Sequence, residues 1–320
     1  MPSRERFVRA ATRAAEIATT RRVRVVVQLL LLAALAFGVL RLRSTWEKTT
    51  IKLDTVDWDA LVGALVVAGA GVVATGFVWL LILNRLGIRT RPRWTAIFFQ
   101  AQVAKYIPGS VWQYAGRVAL ARGRGLPIRP VAISMPIEVG ASLAGGAIVA
   151  ALLLGWWAVP IGAAAVAACV AVARSSGSRE ESEERKINAV ATAIPLYAAV
   201  LTLIGAGFWL TARALVAVPA DRFVYYVGAY AAAWAVGLVA VYAPGGIGVR
   251  EAVLVALLHP PLGSGDALVV AFASRAVMTA IDIFLAGLGF LLLRGRNGAF
   301  AAPEATLPRG AADPSETIGP

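Results

Sequence analysis

The chain has 320 residues, of which 59% are hydrophobic and 15% charged, and its mean hydropathy is +0.72. Soluble domains are roughly half apolar and a quarter charged, so a water-soluble globule of this length cannot hide the excess, whereas a bilayer accommodates it. The formal net charge of +13 falls in two blocks beside apolar runs, which excludes the continuous basic stripe of a nucleic-acid-binding domain.

The first block is N-terminal, with seven Arg and two Glu in residues 1–24. Within Glu5–Arg22, Phe7, Ala11, Ala14 and Ala18 share a helical face. The segment reads either as a basic amphipathic helix on an anionic leaflet or as a disordered basic leader that sets orientation. The apolar run 24–40 that follows is read as a span, because it begins far into the chain and lacks a small-residue cleavage site.

Further runs long enough to span lie at 60–83, 131–154, 156–173, 189–211, 223–242 and 267–293. Two apolar segments are too short or too broken for ordinary spans, Trp94–Gly109 with its continuation to Arg117, and Gly245–Leu258. Both are expected to be re-entrant or interfacial. Small-residue patterns at Gly63–Gly76 and Gly140–Gly146 are expected to be helix-packing faces.

The second basic block, residues 84–130, holds nine Lys/Arg and no acid, and the rest of the chain sums to −1. By the positive-inside rule the N-terminus and 84–130 are cytoplasmic. The 41–59 loop, with four basic and four acidic residues, suits the outside, and 174–188 is assigned inside. Seven spans would leave the C-terminus outside, whereas Arg294 and Arg296 favour the inside. Either 245–262 crosses as well or one run is not a span. Pro/Gly/Ala-rich residues 297–320 are expected to be disordered.

The fold expected is therefore all-α: a polytopic integral membrane protein of about seven to eight transmembrane helices plus two re-entrant or broken helical segments. A basic cytoplasmic segment, 1–22, precedes a membrane domain, 23–296. A plasma-membrane location with a cytoplasmic N-terminus follows. Cys169 and His259 are the single residues of their types. They exclude an intramolecular disulfide and leave little for zinc or a His-based triad. No metal, cofactor or catalytic residue is expected.

Three constellations stand out. In Gln100–Arg117, Pro108-Gly109 breaks a helix among Gln102, Lys105, Tyr106, Trp112, Gln113, Tyr114 and Arg117. Broken backbone at membrane depth is tolerated where it is buried in protein or lines a wet cavity. Two cations with amides and aromatics suit a phosphate headgroup with a sugar or isoprenoid body. They equally suit an interfacial loop touching lipid phosphates.

In Tyr242–Leu258, Pro244, Gly245, Gly246 and Gly248 lead into a helix whose first turn carries Arg250 and Glu251. A helix N-terminus with an added cation attracts anions. Glu251 is expected to hold Arg250 or a basic residue elsewhere. The two breaks lie about 136 residues apart, and interrupted segments in both halves of a hydrophobic chain point to a transporter site.

The third set is ionisable residues inside apolar runs: Glu138, Arg275 and Asp282. Such charges cost several kcal/mol unless paired or wet. Arg275 and Asp282 are seven apart and share one helical face, so they are expected to look into one polar seam. Glu138 is expected to partner Arg250 or Lys105. These residues balance or relay charge, or simply lock helices together.

KYIPGSVWQYAGR (Lys105–Arg117) and APGGIGVREAVLVALL (Ala243–Leu258), in this order and spacing, resemble the lysylphosphatidylglycerol synthase transmembrane region family, also called the flippase-like domain family. The resemblance covers approximately residues 23–293. It implies a membrane domain that binds and translocates a lipid with an anionic phosphate headgroup, such as a phospholipid, polyprenyl-phosphate or glycolipid. The family's synthase activity resides in a separate soluble domain, which this sequence is expected to lack.

The leading expectation is thus a flippase-like, non-enzymatic membrane protein. Lys105, Arg117, Arg250, Gly245, Gly246 and Gly248 would bind the lipid phosphate. Glu138, Glu251, Arg275 and Asp282 would balance charge or couple protons, and Gln102, Tyr106, Gln113 and Tyr114 would line the headgroup. A nucleotide-binding P-loop is absent from the sequence. The alternatives are a non-transporting partner of a lipid or cell-envelope biosynthetic enzyme and an intramembrane lipid-modifying enzyme.

Overall fold

The computed structural model describes residues 51, 53–107, 112–155, 180–240 and 246–294, with isolated positions 160, 163 and 167. The expected span 24–40, most of 156–173, segments 1–22 and 297–320, Cys169, Pro108-Gly109 and Pro244-Gly245 lie outside the described residues. Every regular element among the described residues is helical.

Helix α1, Trp58–Arg85, starts where Asp57 accepts the Ala60 N–H at 3.0 Å and ends at Leu86, ahead of Gly87 with φ 92°. These are the signals expected of an N-cap and a left-handed C-terminal stop. A 3-10 turn, Pro92–Trp94, leads into the short helix α2, Thr95–Gln102, which continues as a second 3-10 turn, Val103–Tyr106. Helix α3 covers Trp112–Arg122, α4 Ile128–Leu154, α5 Glu180–Leu215, α6 Phe223–Val239 and α7 Val249–Arg294.

Among the described residues five helices are long and apolar enough to cross a membrane: Trp58–Arg85, Ile128–Leu153, Glu183–Leu215, Ala220–Val239 and Val249–Arg294. They account for the apolar runs 60–83, 131–154, 189–211 and 267–293 and for 223–239 of the run 223–242. The two interrupted segments are indeed short. Helices α2 and α3 have 8 and 11 residues, below the roughly 20 needed to span. Helix α7 bends at Gly263, φ 78°, just after Pro260 and Pro261. Its first arm, 249–262, extends only about 21 Å at 1.5 Å per residue, against a hydrocarbon core of roughly 30 Å. The second arm, 264–294, is long enough.

One boundary differs from expectation. Residues 174–188 read as a loop, yet α5 begins at Glu180. Glu and Lys/Arg are strong helix formers. The charged stretch extends the helix that the apolar run nucleates.

Small residues set the packing. Helices α1 and α5 run antiparallel along their lengths, with Gly71 against Ile204 and Gly207 against Ala68. A Cβ on Gly207 would lie 2.6 Å from the Ala68 Cβ and 2.8 Å from its nitrogen. A Cβ on Gly145 of α4 would likewise lie 2.7 Å from the Ala198 nitrogen of α5. Close backbone approach of this kind is how membrane helices associate when burial of apolar surface gives no drive. Helix α2 is itself buried, with Ala96, Ile97 and Phe98 at 0% exposure. Gly289 of α7 lies against Ala96. That contact sets the second arm of α7 beside the first interrupted segment.

Candidate functional site

The buried charged side chains form two clusters, with Lys186 of α5, 1% exposed, making no hydrogen bond or ion pair with either among the described residues. The first gathers around the second arm of α7, where Arg275, Thr279 and Asp282 recur at spacings of four and three and so share one face. The 3-10 turn after α2 lies over that face. From it Lys105 Nζ reaches Asp282 Oδ2 at 2.6 Å, and the Tyr106 hydroxyl donates to the same oxygen at 2.7 Å. Thr279 Oγ1 is 3.2 Å from the Tyr106 hydroxyl. The Asp282 side chain is 1% exposed and that of Lys105 18%. Burial, then the Asp282 charge, push the Tyr106 phenol well above its usual range. It is held as a neutral donor.

The second interrupted segment enters the same cluster. Gly246 and Gly248 have positive φ, 69° and 85°, a backbone region open to glycine at little cost. Glu251 accepts the Gly248 N–H at 2.7 Å, in the manner of a capping box. Its other oxygen lies 3.5 Å from the Arg275 guanidinium. The Arg275 guanidinium also lies 5.7 Å from the Tyr106 ring centroid. Lys105, Tyr106, Asp282, Arg275, Glu251 and Gly248 therefore form one connected chain from the first interrupted segment to the second.

Arg250 sits at its edge, 8% exposed. Its guanidinium donates to the Tyr230 hydroxyl and lies 4.4 Å and 4.7 Å from the Tyr230 and Trp234 ring centroids. Tyr230, Trp234 and Gly237 occupy one face of α6. A Cβ on Gly237 would stand 3.3 Å from that of Arg250, so the missing side chain admits the arginine. Among the described residues no carboxylate lies within 4.0 Å of Arg250. The nearby charged groups are Arg275, Glu251 and Asp282.

The second cluster is Arg117 with Glu138. Both guanidinium nitrogens face the carboxylate; Nη1 donates to Oε2, and Nη2 to Oε1 at 3.4 Å. Arg117 is 0% exposed and enclosed by Phe98, Trp79 and Tyr114, at 4.2, 5.3 and 5.8 Å to the ring centroids. Trp79 Nε1 donates to Ser134 Oγ at 3.1 Å, fixing the indole over the arginine. Burial and the Glu138 charge push the Tyr114 phenol up to about 12.

Several expectations change here. Glu138 pairs with Arg117, not with Arg250 or Lys105, because α3 leads directly into α4 and brings the two within reach. Glu251 holds Arg275, which is the second of its two expected partners, a basic residue elsewhere in place of Arg250. Arg275 and Asp282 share a seam, as their spacing implied, yet each has its own partner. The expected lipid-binding cations are thereby divided. Lys105 and Arg250 join the α7 cluster, and Arg117 belongs with Glu138. Gln113 and Tyr114 go with Arg117, and half-buried Gln102 closes α2. Gly245 lies outside the described residues.

Tyr230, Trp234 and Thr279 were not singled out from the sequence. Their signal was present in the spacing: two aromatics four apart ahead of Pro244, and a hydroxyl on the Arg275–Asp282 face.

Among the described residues the architecture is all-helical with five candidate spans, as in a polytopic membrane protein. No protein-family model and no curated protein matches the chain.

Proposed function

We propose that this chain is an integral membrane protein that binds a lipid through its anionic phosphate headgroup and moves it between leaflets. The reading draws on the resemblance of the Lys105–Arg117 and Ala243–Leu258 motifs to the flippase-like domain family. One observation carries it furthest. The two interrupted segments, far apart in sequence, meet through Lys105, Tyr106, Asp282, Arg275 and Glu251. Three cations and two carboxylates leave this cluster with an excess of one positive charge. A buried excess of this sign favours an anion, and broken helices supply such sites in transporters.

Each group then has a task. Lys105, the more exposed of the paired cations, meets the headgroup. Arg250, pre-oriented by Tyr230 and Trp234, offers its guanidinium to a second phosphate oxygen. Glu251 and Asp282 keep the empty site from carrying three uncompensated charges. The acyl or isoprenoid chains stay along apolar helix faces while the headgroup crosses. Arg117 and Glu138 hold α3 to α4 and serve as a brace.

The test is leaflet exchange in reconstituted vesicles, with fluorescent phosphatidylglycerol and dithionite quenching of the outer leaflet. Arg250→Ala and Lys105→Ala proteins insert normally and lose about tenfold or more in transfer, each having removed a charge-assisted hydrogen bond. Wild-type rates in both variants overturn the assignment.

A further inference from the structure

Asp282 is the most unusual group in the cluster. It is 2% exposed in the middle of an apolar helix, and its two oxygens are treated unequally. Oδ2 receives both the Lys105 ammonium and the Tyr106 hydroxyl, whereas Oδ1 is buried with no hydrogen-bond partner. A buried carboxylate oxygen ordinarily accepts at least one hydrogen bond. The groups facing it are Lys105 and Tyr106 from the 3-10 turn, Thr279 and Arg275 from its own arm, and Arg250 and Glu251 from the first arm, with Tyr230 of α6 reaching it only through Arg250. Of these, Arg275 is already bound to Glu251, and Arg250 points at the rings of α6. Lys105 is the cation that compensates Asp282.

We propose that Asp282 is a proton carrier: an anionic headgroup that takes Lys105 displaces the carboxylate from the one cation within 4.0 Å of it among the described residues, and Asp282 then binds one proton from solvent. This inference rests on the phosphate-lipid reading above and adds coupling to it. A phosphodiester and Asp282 compete for one ammonium. Once the ammonium turns to the phosphate, the carboxylate keeps a single phenol donor in a buried setting. A charge so placed neutralises itself by protonation.

The proton adds to a carboxylate oxygen to form the neutral acid; no other bond is made or broken, and the headgroup keeps its charge. Proton and monoanion enter together, so the cluster retains the excess of one positive charge it has when empty. Linkage makes the effect reciprocal, and lower pH strengthens headgroup binding by the same coupling that makes the headgroup recruit a proton.

The experiment uses the full chain in phosphatidylcholine nanodiscs, titrated calorimetrically with dihexanoyl phosphatidylglycerol in two buffers of different ionisation enthalpy. This probe is a phosphodiester with a fixed single charge, so any proton taken up goes to the protein. The expected result is uptake of about one proton per bound probe in the wild type, and none in an Asp282→Asn protein that still binds. Infrared difference spectra report the acid directly. A carboxylic-acid band appears on binding of this probe or of geranyl phosphate and is missing in Asp282→Asn. In Lys105→Met the band is present before any probe is added. Binding without proton uptake in the wild type overturns the proposal, as does equal uptake in wild type and Asp282→Asn. The wild-type measurements decide it even where the variants fail to fold. Failure of folded wild-type protein to bind either probe overturns the phosphate-lipid reading itself, which is a separate outcome.

Discussion

Arg117 and Arg250 make an instructive pair. Each follows a Pro-Gly break by a few residues, each is almost wholly buried, and each lies against aromatic rings. They differ in what neutralises them. Arg117 has the Glu138 carboxylate across its fork. Arg250 has the Tyr230 phenol and two ring faces, with its nearest carboxylates engaged by Arg275 and Lys105. A paired buried charge fastens two helices; a charge met only by dipoles and rings keeps its capacity to bind an anion. Similar local sequence thus yields a brace in one half and a candidate ligand group in the other.

The difference can be broken by mutation, most severely at the brace. Arg117→Ala strands Glu138 in the interior, and removing one partner of a buried ion pair costs about 3–5 kcal/mol. Thermal unfolding in mild detergent should show that loss, and Arg117→Met combined with Glu138→Leu should recover most of it. Recovery to no degree would mean that the pair does more than fasten α3 to α4. Arg250→Ala leaves no stranded carboxylate and gives up cation–ring contact worth roughly 2 kcal/mol when desolvated. Its unfolding temperature should fall less than that of Arg117→Ala, while its lipid transfer falls more than its stability explains. An equal or larger thermal loss would erase the distinction.

Smaller changes sharpen it. Tyr230→Phe keeps the ring beneath Arg250 and removes the hydroxyl acceptor, at a cost of about 1–2 kcal/mol. Arg250→Lys in the same assay should not substitute, since an ammonium lacks the planar fork that stacks and binds at once. Tyr106→Phe removes one donor from Asp282 while Lys105 remains. Its cost is about 1 kcal/mol, read as a small drop in unfolding temperature with insertion unchanged.

Much of the scaffold was legible in the sequence. Hydrophobic length is a local property, so the runs 60–83, 131–154, 189–211 and 267–293 each fall in a helix of spanning length, as does 223–239 of the run 223–242. Pro and Gly act on their own backbone. The two segments Trp94–Gly109 and Gly245–Leu258 were expected to fall short of a span, and α2 and the first arm of α7 do so, whereas the bend at Gly263 was not anticipated. The Gly145 packing face needed only a run of small residues to be anticipated. The start of α5 at Glu180 was missed because a charged stretch is helical or solvated according to what it is attached to.

Partnerships between charges were not legible. Glu138 was matched with Arg250 or Lys105 on chemical type, and any of several cations fits that description equally. Only the turn from α3 into α4 brings Arg117 to it, 21 residues away. The Tyr106–Asp282 contact spans 176 residues and exists because Gly289 lets α7 lie against α2. Composition and backbone chemistry act locally, and they suffice to specify a basic, apolar, helical chain with two interruptions and a short list of costly buried charges. Tertiary structure alone decided which charges meet, because an ion pair is a matter of a few ångströms between helices whose separation the chain order does not set.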